Sequence, residues 1–228
     1  MRQNIVVTTP SYRDFKNILI LVKKIRKILP ESKIIIVDDS PRDENLKLQK
    51  IIKNYKNILL VSRQIKSGRG SAVIEGFKEA LKNTSVEYFF EIDSDLAHNP
   101  SEMPRFLNKI ITKKYDVIIG SRYIKGGKTI NIILSRIILS RIINIFLRFW
   151  LNIKLNDFTG GFRLYSRKSI EFLSDINLKA NGFIMLSETI FLLHRNNFKK
   201  GEVPITVSIK KMGNQMLMLK NLLIPYFS

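Results

Sequence analysis

The stretch Phe89-Phe90-Glu91-Ile92-Asp93-Ser94-Asp95-Leu96 joins a short apolar, β-forming run to two carboxylates one residue apart. On a continuing strand Asp93 and Asp95 would point to the same side, because side chains alternate with a period of two. A turn at Ser94 would break that alignment but leave both acids at the strand's carboxyl end. Neighbouring carboxylates repel unless a proton or a cation lies between them, and hard divalent ions such as Mg²⁺ take such oxygen ligands. An acidic turn closing a strand is the plainer alternative, so the flanking segments decide.

Working outward, the first 120 residues alternate strands and helices. Strands are expected at 5–8, 34–37, 58–61 and 116–119, and helices at 15–29, 44–55, 71–82 and about 100–112. Short, continuously apolar strands separated by helices imply an α/β fold whose mostly parallel sheet is covered by helices on both faces. Ligands of such sheets bind beyond the carboxyl ends of the strands. Those ends carry Thr9-Pro10-Ser11-Tyr12-Arg13-Asp14, Asp38-Asp39-Ser40-Pro41, Ser67-Gly68-Arg69-Gly70-Ser71, Asp93-Ser94-Asp95 and Gly120-Ser121-Arg122-Tyr123. Acids, a glycine turn that can approach a phosphate, and an arginine would thus gather on one edge, as a nucleoside-diphosphate pocket requires. The plainer reading is ordinary polar loops.

Composition narrows the partners. Of 228 residues, 45% are hydrophobic, enough for one large domain or two small ones. Without cysteine there are no disulfides and no thiolate metal sites. Met1 runs directly into a strand, so no signal peptide is expected. Lysine and arginine outnumber aspartate and glutamate 39 to 19, a formal charge of +20 that calls for an anionic partner: nucleic acid, a phosphorylated small molecule or an acidic membrane.

Residues 129–150 differ in character. As one helix, they would place Arg136, Ser140, Arg141, Asn144 and Arg148 in one stripe, with Ile, Leu, Phe and Trp over nearly all of the rest. Three arginines argue against a spanning helix and suit one lying in the membrane interface, with Trp150 either an interface anchor or a core aromatic. A core helix whose arginines face a ligand is the alternative. Beyond it, Asn156-Asp157-Phe158-Thr159-Gly160-Gly161-Phe162-Arg163-Leu164-Tyr165 reads as turn-rich, helices are expected at 169–173 and 184–195, and a late strand at 202–207. Pro204 assigns that strand to a sheet edge. The apolar tail 216–227 is too short to span a bilayer. His98 reads as a hydrogen-bonded loop histidine rather than a ligand, and His194 as structural. With no linker or repeat, residues 1–228 read as one domain, about 1–122 for the nucleotide sugar and about 123–228 for the acceptor.

Taken in order, these segments resemble the GT-A inverting glycosyltransferases of the polyprenyl-phosphate (dolichol-phosphate) mannosyltransferase group. Val37-Asp38-Asp39-Ser40-Pro41, Gly68-Arg69-Gly70, Asp93-Ser94-Asp95-Leu96, Gly120-Ser121-Arg122-Tyr123, the 157–165 segment and Glu202-Val203-Pro204-Ile205 carry the resemblance over nearly the whole chain. It implies that Pro10, Tyr12, Asp14, Asp38, Asp39 and Gly70 hold the nucleotide. Asp93 and Asp95 would hold Mg²⁺ or Mn²⁺ against the diphosphate. Arg122, Arg136, Arg163 and Lys210 would face the two phosphates, and Asp157 the transferred sugar. Asp95, Arg122, Arg136 and Asp157 are thus the expected catalytic set. Departures from the family pattern are Ala97 in place of a glutamine, Gly160 in place of a serine, Lys210 in place of an arginine, and Gln215-Met216 in place of Ser-Lys.

The implied reaction moves mannose from GDP-mannose to a polyprenyl phosphate on the cytoplasmic face of a membrane. Attachment would be peripheral or monotopic, through this helix or a separate anchoring subunit. Competing readings are UDP-glucose as donor, a glycan hydroxyl as acceptor, or a nucleic-acid-binding protein. Against the last, the sequence offers no stacking platform or reading motif, so no nucleic acid is expected. A receiver-like phosphoacceptor around Asp38-Asp39 fits neither the preceding strand nor the chain length.

Overall fold

The structure is a computed structural model and describes residues 4–63, 65–176, 178, 182 and 184–209. Lys210, Gln215, Met216, the apolar tail and Met1 lie outside the described residues. The first half follows the expected alternation: β1 (Ile5–Ser11), α1 (Phe15–Ile28), β2 (Lys33–Asp38), α2 (Arg42–Ile52), β3 (Ile58–Ser62), α3 (Arg69–Leu81) and β4 (Tyr88–Glu91). A 3₁₀ turn at Pro100–Glu102, α4 (Met103–Lys113) and β5 (Val117–Ser121) come next. Then follow β6 (Lys128–Ile130), α5 (Leu134–Trp150), β7 (Arg163–Ser166), α6 (Arg167–Ser174), α7 (Ile184–Arg195), β8 (Lys200–Pro204) and β9 (Thr206–Ser208).

One seven-stranded sheet runs in the order β3-β2-β1-β4-β7-β5-β8. β1 to β4 are mutually parallel, β5 and β8 pair in parallel, and β7 lies antiparallel between β4 and β5. β2 shows why the parallel strands read as apolar runs: Ile34, Ile35, Ile36 and Val37 are all buried, since helices cover both faces. Ile18, Leu21 and Ile25 of α1 and Phe106 of α4 fill one side, where Phe106 and Phe162 meet at 4.5 Å between ring centroids. Phe77 of α3, Ile170 of α6 and Ile190 of α7 fill the other. Each such side chain contributes about 1.5–3 kcal/mol by leaving water.

β8 is the sheet edge that Pro204 required, and Ile205 separates it from β9. Two segments differ from expectation. The 129–150 helix begins only at Leu134, because β6 pairs with β9 and Asn131 then turns the chain at φ +57°. The 156–165 segment is turn-like only in its first part, since Arg163-Leu164-Tyr165-Ser166 forms β7 in the middle of the sheet. An arginine there is tolerated because every branch of its guanidinium finds an acceptor: Gly160 O at 2.9 Å, Phe158 O at 2.7 Å, and Leu186 O at 2.8 Å with Thr189 Oγ1 at 3.1 Å.

Candidate active site

The carboxyl ends of β1, β2 and β4 and the start of α3 surround a cleft of about 280 Å³. Pro10, Tyr12, Asp39, Asp93 and Asp95 line it, as does Gly68, whose φ of +91° forms the turn into α3. Gly70 does not line it. It is buried in the first turn of α3, where a Cβ would come within 2.6 Å of Met185 Sδ, so its small size serves helix packing rather than phosphate approach.

Asp38 and Asp39 divide between structure and site. Asp38 is buried and both its oxygens are engaged, by Ser40 Oγ at 2.8 Å and Asn45 Nδ2 at 2.7 Å, so it braces the loop instead of meeting a nucleotide. Asp39 opens on the cleft while Arg63 holds it in a two-pronged pair at 2.6 and 2.7 Å and Ser67 N donates to it at 3.1 Å. Tyr12 stands over the same space with Lys66 Nζ 4.6 Å from its ring centroid. Asp14 sits behind Ser94, whose hydroxyl donates to it at 3.1 Å. Burial raises the Asp14 pKa, partly offset by that bond and one from Asn17.

β4 ends at Glu91, and the chain turns at Ser94, so the two aspartates are presented by a loop. Asp93 Oδ1 is bound by Arg69 Nε at 2.7 Å, while Arg69 Nη1 reaches the fully buried Glu91 at 2.8 Å. Tyr165 on β7 donates to the other oxygen of Glu91 at 3.0 Å. Asp95 faces the cleft and accepts from Ala97 N at 2.9 Å. Crowding by the protein and then repulsion from Asp93 raise its pKa. Two hard oxygen donors on one cleft fit a divalent cation such as Mg²⁺ or Mn²⁺, with Asp93 Oδ2 and Asp95 as protein ligands. His98 is buried beside them, its Nε2 3.9 Å from Asp93 Oδ2 and its ring 5.5 Å from that of Phe162. Burial keeps its pKa low despite the two acids. Instead of the expected hydrogen bond, its Nδ1 meets no partner among the described residues.

Across the cleft, Asp157 is fully buried and takes Arg122 in a bidentate pair at 2.7 and 2.7 Å, with Arg122 N at 3.1 Å. Burial lowers the Arg122 pKa, but the Asp157 hydrogen bond and charge more than offset it, so the guanidinium stays charged. Glu202 on β8 fixes the loop by accepting from Asn156 N at 3.0 Å and Asp157 N at 3.1 Å. The same loop ends at Gly161, where a Cβ would lie 2.5 Å from Arg69 Nη2 and 2.6 Å from Asp93 Oδ2. Residues 157–161 therefore tie the Arg122 clamp to the acidic pair. Gly161→Ala is expected to push Arg69 and Asp93 apart and weaken cation-dependent nucleotide binding at least tenfold while far-ultraviolet dichroism is unchanged, which calorimetry on the purified variant checks.

The polar stripe of α5 turns toward this loop. Asn144, the one buried residue of the helix, accepts from Phe158 N at 2.5 Å and donates to Ser140 O at 2.7 Å. Ser140 Oγ lies 3.4 Å from Arg122 and accepts from the Tyr123 hydroxyl at 2.8 Å. The apolar side faces away from the protein: Ile138, Leu139, Ile142, Phe146, Phe149 and Trp150 are exposed, the last two at 81% and 73%. The core-helix alternative is thereby corrected, because packing on the sheet would bury that side. Among the described residues no helix is long and apolar enough to cross a membrane. Arg136 is exposed on the first turn of α5, one turn before Ser140. Arg163 is corrected from phosphate ligand to core residue, since its guanidinium is buried and spent on carbonyls of the 157–161 loop and α7.

Arg63, Arg69 and Asn144 aim the expected residues, a role that neither the polar stripe holding Asn144 nor the glycine turn holding Arg69 reveals in sequence. Arg69 stood in the quoted glycine turn, but its two partners are 22 and 24 positions away in sequence, a proximity that only strand pairing creates.

The glycosyl transferase family 2 model matches residues 6–173. A polyprenol monophosphomannose synthase of Mycolicibacterium smegmatis is 29% identical over 92% of this chain and 80% of its own length. An undecaprenyl-phosphate mannosyltransferase of Micrococcus luteus is 27% identical over 93% of this chain and 87% of its own. Among solved structures, glucosyl-3-phosphoglycerate synthase of Mycobacterium tuberculosis, in complex with Mn²⁺, UDP and glucosyl-3-phosphoglycerate, superposes with a TM-score of 0.66 at 17% identity, covering 96% of this chain and 75% of that one. At that identity the likeness concerns the fold alone. With its family model matched over most of its length, and with the helix-flanked, mostly parallel GT-A sheet to carry the site, the chain belongs to glycosyl transferase family 2 and is a glycosyltransferase.

Proposed function

We propose that this enzyme transfers mannose from GDP-mannose to a polyprenyl (dolichyl) phosphate, with inversion, at the cytoplasmic surface of a membrane. The observation that supports this most is the bolting of α5 to the clamp: Ser140 and Asn144 join the helix that exposes an apolar face to the loop holding Arg122 and Asp157. An anionic headgroup beside Arg122 would have its hydrocarbon tail over Ile138 and Ile142. Both named relatives are, by their descriptions, enzymes that place mannose on a polyprenyl phosphate.

The chemistry needs few groups. An oxygen of the acceptor phosphate attacks the anomeric carbon, forming one C–O bond as the bond to the GDP oxygen breaks on the opposite face. The nucleophile is already anionic, so no base must remove a proton. Tyr12, Asp39 and the Gly68 turn would hold the nucleotide. Arg122, kept charged and aimed by Asp157, and Arg136 would relieve repulsion between the two phosphates. Mg²⁺ or Mn²⁺ on Asp93 and Asp95, when bound, supplies positive charge for the departing diphosphate. With both oxygens of Asp157 on Arg122, an orienting role fits it better than that of a base.

The test is a panel of radiolabelled sugar nucleotides given to the purified enzyme with polyprenyl phosphate in vesicles. Label from GDP-mannose is expected in a mild-acid-labile lipid extracted into organic solvent. Label entering that lipid from UDP-glucose and not from GDP-mannose, or no label in lipid from any donor, would replace this reading.

A further inference from the structure

A second groove, of about 320 Å³, lies beside Tyr123 and Asn144, between α5 and residues 155–156. Arg141 and Arg148 both line it. The Arg141 guanidinium stands 5.6 Å from the Tyr123 ring centroid, and Arg148 Nη1 donates to Asn156 Oδ1 at 2.9 Å. Among the described residues neither arginine is paired with a carboxylate, none of the groove-lining residues is acidic, and α5 itself contains no acid. Ile145 forms one wall, and the exposed Ile142, Phe146 and Phe149 continue from it along the helix. Neither Arg122 nor Arg136, the arginines assigned to the transfer reaction, lines this groove.

We propose that this groove binds the phosphodiester of an anionic phospholipid, a bulk membrane lipid distinct from the acceptor. Guanidinium groups match phosphate oxygens in charge and geometry. The apolar run beside them would receive the acyl chains, which a free phosphate lacks. The inference rests on the membrane reading of α5 and adds a headgroup preference to it. A lipid seated there would fix the depth and rotation of α5, and through Asn144 and Ser140 the height of Arg122 above the bilayer.

The full-length enzyme is to be titrated with phosphatidylcholine vesicles, and with the same vesicles containing phosphatidylglycerol, neither holding polyprenyl phosphate. A membrane-surface cation is worth about fivefold in affinity, so Arg141→Gln with Arg148→Gln should lose roughly 20-fold on the anionic vesicles and keep its affinity for the neutral ones. Lys23→Gln with Lys24→Gln, the same charge change at exposed positions of α1, should lose less than about threefold. If the arginine pair loses no more than the lysine pair, the groove is not a lipid site. If inorganic phosphate alone binds the wild type and the arginine variant abolishes that heat, the occupant is a soluble phosphate and the lipid assignment falls. If the wild type ignores both vesicle types, the membrane reading itself fails, a result distinct from loss of the anionic preference alone.

Discussion

Asp157→Asn is expected to cost both stability and turnover. The carboxylate is wholly buried, and both its oxygens hold Arg122, so the amide leaves a cation with half its partner. Removing one member of a buried pair costs about 3–5 kcal/mol. Asparagine keeps one acceptor, and Arg122 retains 15% exposure, so the lower end, about 3 kcal/mol, applies here. For a chain of this length that is a fall in Tm of roughly 6–12 °C. Turnover should fall about 10²–10³-fold, the scale of losing one preorganised charge at a developing anion. Because the pair acts as a unit, Arg122→Gln combined with Asp157→Asn should be little worse than either alone. Additive losses in kcat, or full turnover in the single Asp157 variant, would show that the two residues act separately or not at all.

The two aspartates at the end of β4 are expected to fail alike in activity and oppositely in stability. Either Asp93→Asn or Asp95→Asn should lower turnover by about 10²–10⁴, several kcal/mol of charge stabilisation. Asp93 is the partner of Arg69, so its loss should destabilise the metal-free protein by about 1.5–3 kcal/mol, the worth of a charged hydrogen bond. Asp95 behaves differently because its folded pKa is raised. An acid of that kind contributes stability that is present below its unfolded pKa and lost as the pH rises through the folded one. Above that folded pKa, without a cation, ionised Asp95 is therefore a burden, and there Asp95→Asn should melt above the wild type. Added Mn²⁺ should raise the wild-type Tm and leave that of the variant unchanged, a comparison that differential scanning calorimetry makes directly. The same linkage makes cation affinity fall on acidification at a pH above that of an ordinary aspartate.

These expectations rest on contacts that the sequence only partly displays. The apolar runs of β1, β2 and β4 and the acids that follow them were legible, because burial on both faces leaves a continuous signal and the switch to polar residues marks the strand end. β7 was not, since four residues containing an arginine between turn formers look like a loop until the acceptors of that arginine are in place. Periodicity separated the two faces of α5 but could not say which one the protein would keep. Asn144 decides that by capping Phe158 N, a contact 14 positions away. Asp38 and Asp39 are adjacent and chemically identical, yet only the second faces the cleft, because β2 turns its side chains alternately and Asn45 and Ser40 claim the first. Gly68 and Gly70 divide in the same way, one for its positive φ and one for packing under Met185. The resemblance to polyprenyl-phosphate mannosyltransferases assigned roles that spacing alone left open. Of those, the phosphate-facing role of Arg163 meets a fully satisfied core guanidinium, and Lys210 lies outside the described residues.

Asp93 and Asp95 are expected to bind a sugar nucleotide through a divalent cation. Calorimetric titration of GDP-mannose into the metal-stripped wild type, with and without Mn²⁺, tests it. The expected result is an affinity at least tenfold higher with the cation, an increment missing from both Asp93→Asn and Asp95→Asn. Equal affinity in the presence and absence of Mn²⁺, or an increment that survives both substitutions, would contradict it.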